Sequence, residues 1–107
     1  MHIQLVTFQL NDIDEQHYRT ECDDCAPVFA AIPGLLSKVW LADRSTNTYG
    51  GIYAWHDRHA MQDFLNGELF RSVRTDPHVR NLTSRDFDVL EAPTEVTHGL
   101  ALARAKR

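Results

Sequence analysis

The chain has no apolar run near the ~18 residues that a membrane-crossing helix needs. Its opening stretch, MHIQLVTFQLND, lacks a basic region ahead of an apolar segment and is broken by Gln4, Thr7 and Gln9. Neither a signal peptide nor an anchor is therefore expected, and the expected location is cytoplasmic, with no membrane partner. Cysteine is scarce: Cys22 and Cys25 are the only two. In a reducing compartment they do not suggest a structural disulfide. Positive charge is also short. Eleven Lys and Arg against fifteen Asp and Glu give −4, which argues against a nucleic-acid binder that relies on phosphate contacts. Gly50-Gly51 is not followed by Lys-Ser or Lys-Thr and opens no helix, so no phosphate loop is present. The histidines (His2, His17, His56, His59, His78, His98) are scattered, with no pair at metal-site spacing. No nucleophile elbow, internal repeat, low-complexity tract or linker is found.

What remains is one small domain of 107 residues, 43% of them hydrophobic. Residues 3–10 alternate like a strand. Asn11 and Asp12 break that pattern, and Asp12 or Asp14 can cap a helix. Tyr18, Cys22, Cys25, Phe29 and Ile32 then recur in steps of four and three, one stripe of a helix over 14–32. Pro27 is expected to kink it near residues 23–26, and Pro33-Gly34 to end it. Residues 35–42 read as a second strand, with Leu36, Lys38 and Trp40 on one face. Residues 49–56 read as a third, with Tyr49, Gly51, Tyr53 and Trp55 on one face. The Gly-Gly pair weakens that strand unless a ligand or a bend needs the space. Asp57 caps a second helix that breaks at Gly67, a short helical piece follows, and residues 82–90 form a fourth strand with Thr83, Arg85, Phe87 and Val89 on one face.

Strand, helix, strand, strand, helix, strand is the ferredoxin-like βαββαβ order, an α+β class with a four-stranded antiparallel sheet and both helices on one side. The other sheet face is left uncovered, which implies a symmetric homodimer. Residues 1–92 are expected to form the domain and 93–107 a tail. Arg104, Lys106 and Arg107 in that tail are opposite in charge to the acidic stretch 12–24, so the tail can lie across a partner's helix.

Pro33-Gly34-Leu35-Leu36-Ser37-Lys38-Val39-Trp40, Gly50-Gly51-Ile52-Tyr53, and Phe87-Asp88-Val89 with Glu91 and Pro93 resemble the YdhR-like mono-oxygenases of the dimeric α+β barrel superfamily, over about residues 3–98. The Cys-x-x-Cys pair departs from that pattern. The resemblance implies a small, mostly apolar molecule bound between sheet and helices, and oxygenation of phenols or quinols with no cofactor, neither flavin nor haem nor metal. In such chemistry the substrate supplies the electrons. The protein removes a proton, stabilises an anion and excludes water.

The candidates for that work are few. Trp40, Tyr49, Tyr53 and Trp55 offer aromatic walls with polar tips, or plain core. Arg85 and Lys38 are candidate cations, unless they snorkel to solvent. His59, in the first turn of the second helix, is a candidate general base, or an exposed helix residue. Cys22 and Cys25 fall mid-helix on the apolar stripe, away from the helix N-terminus that a redox pair favours. They read as core or pocket lining. The function expected is a cofactor-independent mono-oxygenase acting on an aromatic or quinol-type compound. The alternative is a non-catalytic dimeric binding module for a hydrophobic metabolite. Isomerase or decarboxylase chemistry needs the same cation and base, and haem degradation would need a pocket-facing histidine.

Overall fold

The computed structural model describes residues 1–101. Along the chain lie β1 (His2–Leu10), α1 (Glu15–Ala30), β2 (Leu35–Asp43), β3 (Thr48–Trp55), α2 (Arg58–Leu65), α3 (Glu68–Arg74), β4 (Val79–Asp88) and α4 (Glu91–Val96). The strands form one antiparallel sheet in the order β2-β3-β1-β4, the ferredoxin-like arrangement that the element order implies. No helix among the described residues is long and apolar enough to cross a membrane. The basic tail residues Arg104, Lys106 and Arg107 lie outside the described residues. The 92/93 boundary falls inside α4, whose Glu91 pairs with the Met1 amino group at 3.3 Å.

Local chemistry sets the helix starts. The Asp14 carboxylate accepts from the His17 backbone N–H at 2.8 Å, and the Asp57 carboxylate from that of Ala60 at 2.8 Å. Each cap satisfies a backbone N–H that the first turn would otherwise leave without a partner. Pro27 lies inside α1 and does not end it. Its missing N–H leaves one intrahelical bond unmade.

The alternation of β1 decides which sheet face is the core. His2, Gln4, Val6 and Phe8 are buried beneath the helices, and Ile3, Leu5 and Thr7 turn the other way. Register carries this choice across the sheet. Gln4 faces Tyr53 and Asp86, and Val6 faces Gly51 and Ser84. Tyr49, Tyr53 and Trp55 therefore join the core with Phe29, Met61, Phe64 and Phe70 from the helices. The opposite face carries a row in register, Arg85, Leu5, Ile52 and Val39, next to Ile3 paired with Phe87. Val39 and Phe87 are largely exposed on it.

Two irregularities depart from simple alternation. A register shift between Leu35 and Ser37 lets Leu35 turn inward, 3% exposed, although strict alternation puts it opposite Trp40. A second shift pairs Thr7 with Thr83 and Gln9 with Arg80, with Asn81 at φ 57°. This explains why β4 begins at Val79, three residues before the periodicity suggests.

Candidate functional site

A cavity of about 100 Å³ lies between α1 and the sheet. Tyr18, Cys22, Cys25 and Phe29 from α1 form one wall. Lys38 and Trp40 from β2 and Gly50 and Tyr53 from β3 form the facing wall, with Val6 and Phe8 from β1. Phe70 and Val73 of α3 and the segment after it close the end. Two acids, Glu21 and Asp76, also contribute to the lining.

Lys38 dominates the electrostatics. Its Nζ stands 3.5 Å from the centroid of the Phe29 ring, 3.4 Å from that of Trp40 and 4.7 Å from that of Tyr53. Among the described residues no hydrogen bond or ion pair reaches this amine. Burial pushes it down to about 7, far below an ordinary lysine, so that the uncharged form is accessible near neutrality. The glycine pair explains how it fits. A Cβ on Gly51 would come within 2.8 Å of Lys38 Cε, and one on Gly50, at φ +142°, would collide with the Val6 carbonyl oxygen. The space that the pair leaves in β3 is thus filled by a lysine stem and a neighbouring strand.

The hydroxyls and thiols around the amine stay protonated. Burial raises the Tyr18 and Tyr53 phenols above their ordinary value and lifts the Cys22 and Cys25 thiols above theirs. Both cysteines are free, and Cys25 Sγ donates to the Glu21 carbonyl at 2.7 Å. They are pocket lining, brought there by the same helical stripe that carries Tyr18 and Phe29. That stripe was legible in the sequence as core. Its role as a cavity wall depends on its facing Lys38.

The remaining candidates lie elsewhere. Trp55 is fully buried and is a core residue. Its Nε1 donates to Gln4 Oε1 at 2.9 Å, and Gln4 Nε2 donates to Ser84 Oγ at 2.9 Å, so the buried amide is satisfied. Tyr49 lies beyond Tyr18, beside a wider groove of about 500 Å³ along α1 and β2 that also involves Arg19 and Asp23. Its hydroxyl donates to Glu15 Oε1 at 2.6 Å, which lowers the carboxyl below its usual range. Arg85 departs from the expectation of a cavity cation. It pairs with Leu5 on the sheet face away from the helices, its guanidinium 5.4 Å from the Phe87 ring centroid. His59 departs from that of a cavity base. Its side chain is 82% exposed and sits 3.5 Å from Asp63 one turn along α2.

No histidine lines the cavity. His2, the most buried one, is held between Asp86 at 2.7 Å and Asp88 at 3.0 Å. The cavity therefore offers haem no imidazole ligand. Among the described residues no cluster of three or more His, Cys, Asp and Glu side chains could hold a metal ion.

The chain matches the family model described as "Putative mono-oxygenase ydhR" over residues 3–100. No curated protein matches it. Three solved structures share the fold at low identity. A "putative antibiotic biosynthesis monooxygenase" from Deinococcus radiodurans is 20% identical, with a TM-score of 0.70 over 86% of this chain and 95% of that one. SnoaB, a cofactor-independent oxygenase from Streptomyces nogalater, is 19% identical, with a TM-score of 0.64 over 85% and 95%. The haem-degrader MhuD from Mycobacterium tuberculosis is 16% identical, with a TM-score of 0.67 over 84% and 96%.

Proposed function

Since the chain belongs to the ydhR mono-oxygenase family, we propose that it oxygenates a one-ring phenol- or quinol-type compound held beneath α1, without an added cofactor. The observation that supports this most is the Lys38 amine, poised near 7 among three aromatic rings. Size favours a small ligand over a polycyclic one, since the cavity is about 100 Å³.

Neutral Lys38 accepts the phenol proton. A phenol near ~10 is a weaker acid than an ammonium near 7 by ~3 pH units, a cost of about 4 kcal/mol. The ammonium–phenolate pair that results, at ~4 Å and an effective dielectric of ~20, returns about 4 kcal/mol. The transfer is thus close to neutral. The electron-rich phenolate then reduces oxygen. One oxygen atom becomes bonded to a ring carbon, the other leaves as water, and the ring ends as a quinone. Trp40, Phe29 and Tyr53 keep bulk water away, and the protonated hydroxyls of Tyr18 and Tyr53 are available as donors to the anion.

Oxygen uptake with a panel of one-ring phenols and hydroquinones tests this reading. Wild type should exceed the buffer rate, and Lys38→Met should lose ~10²–10⁴-fold, the usual weight of a positioned base. No uptake across the panel overturns the oxygenase. Tight binding of the panel without turnover would instead support a binding module.

The uncovered face, with Ile3, Leu5, Ile52, Val39 and Phe87 together, supports association with a second copy. A monomer by light scattering at micromolar concentration would overturn that part. The two free thiols fit a reducing, cytoplasmic setting.

A further inference from the structure

Lysine is rarer in this chain than any basic count suggests: of the eleven Lys and Arg, only Lys38 and Lys106 are lysines. One of the two is thus placed within an aromatic cavity. A lysine kept only for charge would be expected to reach a carboxylate or the surface. Lys38 does neither. Its stem runs through the gap left by Gly51, and its Nζ ends against Phe29 and Trp40. Two thiols share the cavity with it, and the two acids of the lining, Glu21 and Asp76, make no ion pair with it.

We infer that Lys38 Nζ is a carbonyl-condensing nucleophile, and that the cavity captures a one-ring aromatic aldehyde as an imine of Lys38. The uncharged amine adds its lone pair to the carbonyl carbon. The nitrogen loses two hydrogens, the carbonyl oxygen leaves with them as water, and a C=N bond replaces C=O. No electrons are gained or lost overall, and the only other product is water. Three features favour this at Lys38. Burial lowers the amine well below an ordinary lysine, which leaves far more of it uncharged near neutrality. The aryl ring has Phe29, Trp40 and Tyr53 to lie against. The same rings cover part of the amine and reduce the access of water that would hydrolyse the imine. Nothing here requires oxygen or a phenolic proton, so the inference goes beyond the oxygenase reading and does not rest on it.

The test uses the wild-type protein near neutral pH with benzaldehyde and cyanoborohydride, followed by peptide mass mapping. Reduction fixes each imine as a benzylamine. Lys106 serves as the internal reference. Lys38 should be benzylated at least ~10-fold faster than Lys106, because an ordinary lysine is almost wholly charged at that pH. Benzyl alcohol, which has the shape of benzaldehyde but cannot condense, should suppress labelling of Lys38 and leave that of Lys106 unchanged. Equal labelling of the two lysines, an unlabelled Lys38, or indifference to benzyl alcohol would each overturn the inference. Oxygen uptake is a separate measurement, so its failure would leave a positive trapping result standing.

Discussion

Replacing Lys38 by methionine should make the protein more stable, by an amount that depends on pH. The side chains are similar in length and volume, so packing against Phe29 and Trp40 is largely kept. What disappears is the cost of holding an amine in the cavity. The fall from 10.5 to about 7 corresponds to about 5 kcal/mol against the charged form, at ~1.4 kcal/mol per pH unit. Cation–π attraction to three rings works in the opposite direction, at up to about 2 kcal/mol for a desolvated cation. Desolvation wins, and the net gain on substitution is on the order of 3 kcal/mol, or about 10 °C in Tm for a domain of this size. The sign with pH follows from proton binding. Between 7 and 10.5 the unfolded amine holds a proton that the folded amine has lost, so wild-type stability rises with pH across that window. The advantage of Lys38→Met should be full below 7 and fade towards 10.5. Urea unfolding of both proteins at pH ~6 and ~10 measures it, and groups common to both cancel in the difference. A variant that is less stable at the lower pH, or a difference that ignores pH, would refute the claim that this amine is desolvated.

Other consequences are as direct. In Gly51→Ala the new Cβ meets Lys38 Cε and the Val39 carbonyl, so stability should fall by ~1–3 kcal/mol and phenol affinity, read by calorimetry, should fall with it. Trp55→Phe strands the Gln4 amide oxygen and thins the core. A loss of ~2–4 kcal/mol in urea unfolding is expected. Arg85→Ala and His59→Ala remove groups remote from the cavity, and oxygen uptake should stay within about twofold of wild type. A tenfold loss in either would restore that residue to the site.

The residues that reveal the site in sequence are those whose signal is local. Lys38, Trp40 and Tyr53 stand out because alternation places a cation and aromatics on shared faces of neighbouring strands. Arg85 shows the limit of the same reasoning. Period-two alternation groups Thr83, Arg85 and Phe87 correctly, but it does not say which side of the sheet the group occupies. Pairing does: Ser84 stands opposite buried Val6, so Arg85 turns outward with Leu5. His59 has a comparable ambiguity, since a first-turn position on α2 is compatible with either rim or solvent. Cys22 and Cys25 were legible as members of an apolar stripe, and that stripe faces Lys38 only because α1 packs across the sheet where it does.

The sequence alone determined the order of the four strands and the first two helices, the helix cap at Asp57 and the stripe on α1, and narrowed the first cap to Asp12 or Asp14, because each depends on neighbours within a few residues. Only the tertiary structure decided which sheet face is the core, that Asp14 caps α1, where the register shifts turn Leu35 inward, and that the Lys38 amine ends in an aromatic cavity with no counterion among the described residues. Those outcomes depend on partners far along the chain. The charge state of Lys38 follows from its burial rather than from its identity.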